Sequence, residues 1–305
     1  MKMKRILVAL DGSRGSESIL AYVEALLRNV DADLTLATVV ADGTPRQEKA
    51  ARAYLRGVAA RLSRKGAYAD EEILVGNPAV ELVRRAREGN YDLLAMCTRG
   101  KRGLKRLVLG SVAEEVLRRT PVPALVVHPA ADGSPRVEIR KIVVPLDGSH
   151  RSGAVLDPVA ELARAFDAKV EFLSVVSPTK RETLPVETVA HNIFEEQKKL
   201  KAAGIDVELS ILYGGPATEI LSFSRSHGAD LIAISTHGRT GLDRVVYGSV
   251  AERVLRKGSF PLLVVRNAAV PREHRLHPRA VKARRRALAT LKSVGSLTRS
   301  PYGGR

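Results

Sequence analysis

The sequence predicts an α/β protein with two tandem domains, each built around a five-stranded parallel sheet. Two observations predict this class. Short runs of Val, Ile and Leu alternate with longer amphipathic segments, which is typical of parallel strands joined by helices. The motifs of the first half also recur in the same order in the second half, and 305 residues suffice for two domains that each bury a core.

The first half of the chain alternates five apolar runs with four amphipathic segments. We expect strands near Arg5–Leu10, Leu34–Val39, Glu71–Val75, Asp92–Met96 and Ala124–Val127. We expect helices between them, near Ser16–Asn29, Arg46–Lys65, Ala79–Glu88 and Val112–Arg119. Strands that are apolar along their whole length are buried on both faces. Five of them in this alternation favour the flavodoxin-like strand order 3-2-1-4-5.

The second half repeats these elements. The segment RILVALDGS at Arg5–Ser13 matches KIVVPLDGS at Lys141–Ser149, and Thr98–Arg119 matches Thr236–Lys257. A duplication of a whole domain explains this order of matches. We therefore expect a first domain over residues 1–130, a linker over 131–138, a second domain over 139–268 and a basic tail over 269–305.

Composition excludes several classes of protein. Apolar residues make up 45% of the chain, which is typical of globular and not of disordered proteins. The apolar runs are too short for a membrane span or for the core of a signal peptide, so we expect a cytoplasmic protein. The one cysteine, Cys97, excludes an internal disulfide and a thiolate zinc cluster.

The net charge of +17 is concentrated in the tail, where residues 271–305 hold ten Lys and Arg against one acid. Such a segment suits nucleic acid or an anionic lipid surface. A solvated tail, or one that packs on a neighbouring subunit, explains the same composition, and we favour this second interpretation.

Two pairs of aspartates stand at opposite ends of the expected strands. Asp11 and Asp147 follow the first strand of each repeat, and ligands of such sheets bind beyond the carboxyl ends of the strands. Asp92 and Asp230 precede the fourth strand, so they belong to the opposite edge of the sheet. We interpret the second pair as turn or capping residues.

A glycine-rich connection joins the fourth strand of each repeat to the helix that follows. Glycine lets backbone amides approach a phosphate closely, and a helix N-terminus offers free N–H groups and the positive end of its dipole. Ser111 and Ser249 have the S-x-x-E spacing of a capping box, so we expect them to cap their helices. The six glycines are Gly100, Gly103, Gly110, Gly238, Gly241 and Gly248.

These motifs resemble those of the universal stress protein family, whose nucleotide-binding members carry G-x2-G-x9-G-[ST]. The resemblance covers about Lys4–His128 and Arg140–Arg266 and includes the strand-plus-Asp openings and the closing P-x-L-V-V strands. It implies a flavodoxin-like, adenine nucleotide α-hydrolase-like fold in which the closing strands pair, so that the two domains form a pseudo-dimer. It also implies ATP as ligand, with Mg²⁺ or Mn²⁺ as its companion, and further association into a homo-oligomer.

The resemblance assigns the nucleotide contacts residue by residue. Asp11 and Asp147 would accept hydrogen bonds from the nucleotide, and the backbone at Val39 and Val175 would contact adenine. The remaining contacts fall beside the aspartates and in the glycine-rich connections. They are Ala9, Met96, Cys97, Gly100, Gly110, Ser111 and Val112 in the first repeat, and Pro145, Ile234, Ser235, Gly238, Gly248, Ser249 and Val250 in the second.

Both repeats depart from the motif at its first glycine, where Cys97 and Ser235 stand. A side chain there would crowd the ligand or change the path of the loop. The two loops also differ in charge, because the first is strongly basic and the second is mixed, so we expect unequal nucleotide affinities.

The favoured function is that of a regulatory, ATP-binding module of the stress response without catalytic residues. A slow ATP hydrolase or phosphoryl-transfer enzyme is the first alternative. A protein-interaction module that has lost its nucleotide is the second.

Overall fold

The fold is known from a computed structural model, which describes residues 3–98, 109–129, 137–177, 186–236 and 248–266. The first repeat contains β1 (Arg5–Ala9), a 3₁₀ turn (Ser16–Ser18), α1 (Ile19–Asn29), β2 (Asp33–Val40), α2 (Pro45–Ser63), β3 (Ala69–Val75), α3 (Pro78–Glu88), β4 (Leu93–Cys97), α4 (Ser111–Arg119) and β5 (Ala124–Val127). The second contains β6 (Lys141–Pro145), a 3₁₀ turn (Ser152–Val155), α5 (Leu156–Phe166), β7 (Lys169–Val176), α6 (Val186–Ala202), β8 (Val207–Tyr213), α7 (Pro216–Ser226), β9 (Leu231–Ser235), α8 (Ser249–Lys257) and β10 (Leu262–Val265).

All ten strands belong to one sheet, in the order β3-β2-β1-β4-β5-β10-β9-β6-β7-β8. Each repeat therefore has the predicted order 3-2-1-4-5, and its strands are parallel. The two halves meet where β10 pairs antiparallel with β5, with Leu263 opposite Leu125. The predicted α/β class and the pseudo-dimer formed by the closing strands are confirmed.

Two buried clusters cover the two faces of the sheet. Adjacent residues of one strand belong to different clusters, as Leu7 and Val8 do, because side chains alternate between the faces. Helices α1, α2, α5 and α6 contribute to one cluster, and α3, α4, α7 and α8 contribute to the other. Each cluster contains residues from both repeats, so the core is continuous across the junction of β5 and β10.

Asp92 and Asp230 fasten the starts of the first strands. One carboxylate oxygen of Asp92, which is buried, accepts hydrogen bonds from the backbone N–H groups of Lys4 and Arg5 at 2.8 and 3.0 Å. Asp230 accepts the equivalent bonds from Arg140 and Lys141 at 2.8 and 2.9 Å. Their predicted place at the far edge of the sheet is confirmed, although these bonds join the start of a distant strand and are not the local turn or capping bonds that we expected.

No helix within the described parts of the chain has both the length and the apolar character that crossing a membrane requires.

Candidate functional site

The register of the sheet brings the ends of the first and fourth strands together in each repeat. Val8 of β1 lies opposite Ala95 of β4, and Asp11 and Thr98 follow them by the same number of positions. Neighbouring strands lie about 4.8 Å apart, so the segments after β1 and β4 start side by side. The chain leaves β1 toward β2 on one side and reaches β4 on the other, which makes this a topological switch point.

The first aspartate stands in a tight turn after β1, which we call the first Asp turn (residues 11–16). Asp11 Oδ1 accepts a hydrogen bond from the N–H of Ser13 at 2.9 Å. The Ser13 hydroxyl oxygen accepts from the N–H of Ser16 at 3.1 Å, and the Ser16 hydroxyl donates to the Ser13 carbonyl at 2.8 Å. Gly12 has φ +82°, a conformation that glycine adopts without strain. Two serines thus fix the turn that carries the carboxylate.

The second Asp turn (residues 147–152) repeats this arrangement. Asp147 Oδ1 accepts hydrogen bonds from both the N–H and the hydroxyl of Ser149, at 3.0 and 2.6 Å. Ser149 and Ser152 exchange the same two bonds as their counterparts, at 3.2 and 2.9 Å. Gly148 has φ +75°. The two aspartates therefore occupy equivalent positions at the two switch points.

In each repeat a backbone hydrogen bond joins the two ends of the connection after the fourth strand. The N–H of Gly110 donates to the carbonyl of Thr98 at 2.9 Å, and the N–H of Gly248 donates to that of Thr236 at 2.7 Å. A Cβ atom on Gly110 would lie only 2.8 Å from the Thr98 carbonyl oxygen, and one on Gly248 would lie 3.3 Å from the Thr236 oxygen. Glycine is needed here because two backbone segments approach each other.

The helix that follows begins differently from the capping-box prediction, which was wrong. Gly110 and Gly248 are the N-cap residues, in an extended conformation, and no side-chain hydrogen bond caps α4 or α8. Ser111 and Ser249 are the first helical residues, one position too late to cap. The first N–H groups of an α-helix have no intrahelical partner, so each helix directs backbone donors toward the switch point.

Acidic side chains in the first turns of α4 and α8 share one basic partner. Arg256 contacts Glu252 on its own helix at 3.0 Å and Glu114 of α4 at 3.4 Å. These groups are exposed, so the pairs contribute little to stability. They do offset the negative charge close to the two helix N-termini.

Backbone groups at the ends of β2 and β7 also face the switch points. The carbonyl of Ala37 accepts from Leu10, whereas that of Val40 faces β3 and accepts from Gly76. Backbone groups alternate in direction along a parallel strand, so those of Val39 face the side of β1, beyond its end at Ala9. In the second repeat the carbonyl of Leu173 accepts from Leu146 of the β6 side, and that of Val176 accepts from Gly214 of the β8 side. The backbone groups of Val175 therefore face the side of β6.

Cys97 and Ser235 have side chains on the face of the sheet opposite α4 and α8. Cys97 is buried in the cluster formed with α1 and α2, whereas its neighbour Met96 belongs to the cluster formed with α3 and α4. The hydroxyl of Ser235 donates to the carbonyl of Arg151, in the second Asp turn, at 3.0 Å. Ser235 thus ties the end of β9 to the turn that carries Asp147.

The other predicted site residues are apolar and are buried or half-buried. Met96, Ile234 and Ala9 are buried, and the remaining members are half-buried. Those members are Val39, Val112, Pro145, Val175 and Val250. Gly100 and Gly238 lie outside the described residues.

A model of the universal stress protein family matches residues 2–128 and 138–266. The chain belongs to this family. A universal stress protein of Mycobacterium tuberculosis is 26% identical over 305 residues, which cover 88% of this chain and 98% of that protein. One from Methanocaldococcus jannaschii is 37% identical over 139 residues, which cover 42% of this chain and 82% of that protein.

The crystal structure of a universal stress protein from Archaeoglobus fulgidus has the same fold as this chain. The two structures are similar with a TM-score of 0.72 at 21% sequence identity, covering 88% of this chain and 100% of that one. This tandem universal stress protein therefore matches the relatives from Mycobacterium tuberculosis and Archaeoglobus fulgidus over most of their lengths.

Sequence reasoning missed the residues that hold the site of this universal stress protein in shape. Ser13 and Ser16 fix the first Asp turn, and the carbonyl of Thr98 fixes the glycine-rich connection. A signal for the serines was present, because D-G-S followed by a further Ser occurs in both repeats. The role of Thr98 depends on its backbone, so its side chain carried no such signal.

Proposed function

We propose that each repeat binds an adenine nucleotide, with ATP as the expected ligand, and that the protein is a regulatory binding module of the stress response. One observation carries the proposal. In both repeats an aspartate held in a serine-fixed turn lies beside a helix whose N-cap is a glycine, at the ends of adjacent strands. This arrangement combines a hydrogen-bond acceptor with free backbone donors at a topological switch point.

Each part of the site suits one part of a nucleotide. The N-termini of α4 and α8 offer N–H groups and a positive dipole end to the phosphates. The carboxylates of Asp11 and Asp147 would accept hydrogen bonds from ribose hydroxyls. The backbone of Val39 and Val175 faces the same side and would hydrogen-bond the edge of adenine, as backbone groups do in many ligand sites.

The departures from the family motif are compatible with this proposal. Cys97 and Ser235 would obstruct the phosphates if their side chains lay on the side of the glycine-capped helices. They lie on the opposite face, and Ser235 is engaged with Arg151. The backbone at both positions continues its strand, as a glycine there would.

A divalent cation would reach this site with its ligand. In the described part of the chain, no three His, Cys, Asp or Glu side chains are grouped so that they could hold a metal ion. Mg²⁺ commonly binds through substrate phosphates with only one or two carboxylates, so such a group is not required. We propose Mg²⁺ or Mn²⁺ as a companion of ATP and assign no protein ligand to it.

Mass spectrometry of small molecules released from freshly purified protein tests the proposal directly. We expect an adenine nucleotide, and we expect calorimetry of the emptied protein to resolve two binding events. Asp11→Ala and Asp147→Ala should each weaken one event about tenfold or more, because a charge-assisted hydrogen bond is lost. Asp70→Ala, which removes an exposed acid from β3, is the matched control and should leave both events unchanged.

Two outcomes would favour another function. Protein that releases no nucleotide and shows no thermal shift with ATP would be an interaction module. Release of phosphate from bound ATP, lost in the aspartate variants, would make the protein a hydrolase.

A further inference from the structure

The second helix of each repeat lies near the Asp turn, but the side chain that it places there differs between the repeats. Tyr54 of α2 and Asn192 of α6 occupy equivalent positions, at the same spacing before the buried residues Leu62 and Leu200. The rest of the two helices has diverged. Position 54/192 is one of the places where the helices beside the two Asp turns differ.

In the second repeat this helix is fastened to the turn. The Asn192 side-chain amide donates a hydrogen bond to the carbonyl of Gly148 at 2.9 Å. The backbone of Val189, one helical turn earlier, packs so closely that a Cβ on Gly148 would lie 2.9 Å from its Cα. Gly148 is buried as a result, and the neighbouring Asp147 is half-buried.

Among the described residues of the first repeat, no equivalent bond from α2 to the Asp turn is found. The phenolic oxygen of Tyr54 is buried but makes no hydrogen bond of normal geometry within the described residues. Its polar neighbours are Ser16, the last residue of the first Asp turn, and Glu17, and burial together with the charge of Glu17 raises the pKa of Tyr54. Asp11 and Gly12 are both exposed. The first turn thus has its internal serine bonds, while Tyr54 adds none to its backbone.

We propose that Asn192 is a positioning residue that fixes the second Asp turn before a ligand arrives, a bond for which the described residues of α2 offer no counterpart in the first site. The Gly148 carbonyl belongs to the same peptide unit as the N–H of Ser149, which donates to Asp147 Oδ1. The bond from Asn192 therefore restricts the peptide that orients the carboxylate. Pre-organised sites bind more tightly because less ordering accompanies binding. The consequence for affinity rests on the proposed nucleotide function, whereas the fixed turn is a property of the empty protein.

Hydrogen exchange on the nucleotide-free protein tests the fixed turn. In Asn192→Leu, which keeps the approximate volume and removes the donor, we expect the amides of residues 148–152 to exchange about fivefold faster. The amides of residues 12–16 should not change. Asn192→Gln keeps an amide donor and should restore part of the protection. Tyr54→Phe is the matched control, made at the equivalent position of α2, and should leave exchange at residues 148–152 unchanged.

Calorimetry then tests the consequence for binding. With Asp11→Ala in place to report on the second site, Asn192→Leu should weaken nucleotide binding about fivefold. With Asp147→Ala in place to report on the first site, it should have no effect. A general loss of stability would move both sites and both turns together, so this selectivity separates positioning from folding.

Unchanged exchange at residues 148–152 in Asn192→Leu would overturn the inference, and so would equal acceleration in both turns. A wild-type protein that binds no nucleotide would overturn the proposed function instead, and the exchange experiment would still decide whether Asn192 fixes the turn.

Discussion

The two Asp turns share three internal hydrogen bonds but differ in how far neighbouring segments bury them. Gly12 and Gly148 both have positive φ, +82° and +75°, yet Gly12 is exposed and Gly148 is buried. The local sequence D-G-S-x-x-S therefore determines the shape of the turn in both repeats. The helix that follows the second strand determines whether the glycine of that turn is exposed or buried.

The two turns differ in burial because α2 and α6 place different residues beside them. In the second repeat Val189 and Asn192 contact Gly148, whereas Ala51 and Tyr54 stand at the corresponding positions of α2. A smaller alanine and a phenol in place of an amide change the contacts without changing the sheet. Duplication has preserved the part of each site that the strands position and has altered the part that the helices supply.

The largest expected effect distinguishes the two glycines of the turns. Gly148→Ala should lower the free energy of unfolding by about 3 kcal/mol, because the methyl group combines an unfavourable positive φ with a clash against the Val189 backbone. Gly12→Ala should cost about 1 kcal/mol, from the unfavourable positive φ of an exposed residue. Denaturant titration of both variants measures the difference, and equal losses would show that α6 does not cover the second turn.

A smaller difference is expected at the glycines that cap α4 and α8. Gly110→Ala should destabilise the protein by about 2 kcal/mol, because its Cβ would lie 2.8 Å from the Thr98 carbonyl oxygen. Gly248→Ala should cost about 1 kcal/mol, since the corresponding distance to Thr236 is 3.3 Å. Thermal unfolding gives the order of the two variants. The reverse order would mean that the second connection is the tighter one.

Much of the fold could be predicted because local sequence patterns determine where its strands and helices lie. Buried parallel strands are apolar along their whole length, so all five strands of the first repeat were predicted near their observed positions. The duplication then fixed the second repeat. The edge of the sheet at which Asp92 and Asp230 lie was also predicted correctly, since both precede a strand, but their bonds to a distant strand were not.

The details of the site depended on contacts between distant segments. The S-x-x-E pattern predicted Ser111 as the cap of α4, but glycine is also an acceptable N-cap, and the bond from Gly110 to Thr98 favours Gly110. The bond from Asn192 to Gly148 joins residues 44 positions apart. No sequence pattern in α2 or α6 predicts such a contact, so this difference between the repeats could be found only in the structure.

The smallest expected effect concerns α1 and α5, where Glu161 stands at the position of Ala25 in the first repeat. Burial raises the pKa of Glu161, and the charge of Asp92 adds to this, while the backbone of Met3 and Arg164 oppose it. The folded protein therefore holds this proton to a higher pH than the unfolded chain does. Stability is lost as pH rises above the ordinary pKa of 4.5 and levels off above the raised value.

Glu161→Gln removes this ionisation, so we expect the variant to exceed the wild type by a few tenths of a kcal/mol at pH 7 and to match it near pH 4. Glu195 provides a control of opposite sign, because its hydrogen bond from Lys198 lowers the pKa of that exposed carboxyl. Glu195→Gln should therefore lose stability relative to the wild type as pH rises. Denaturant titrations at several pH values would measure both. A constant difference for Glu161→Gln across this range would mean that the carboxyl is not desolvated.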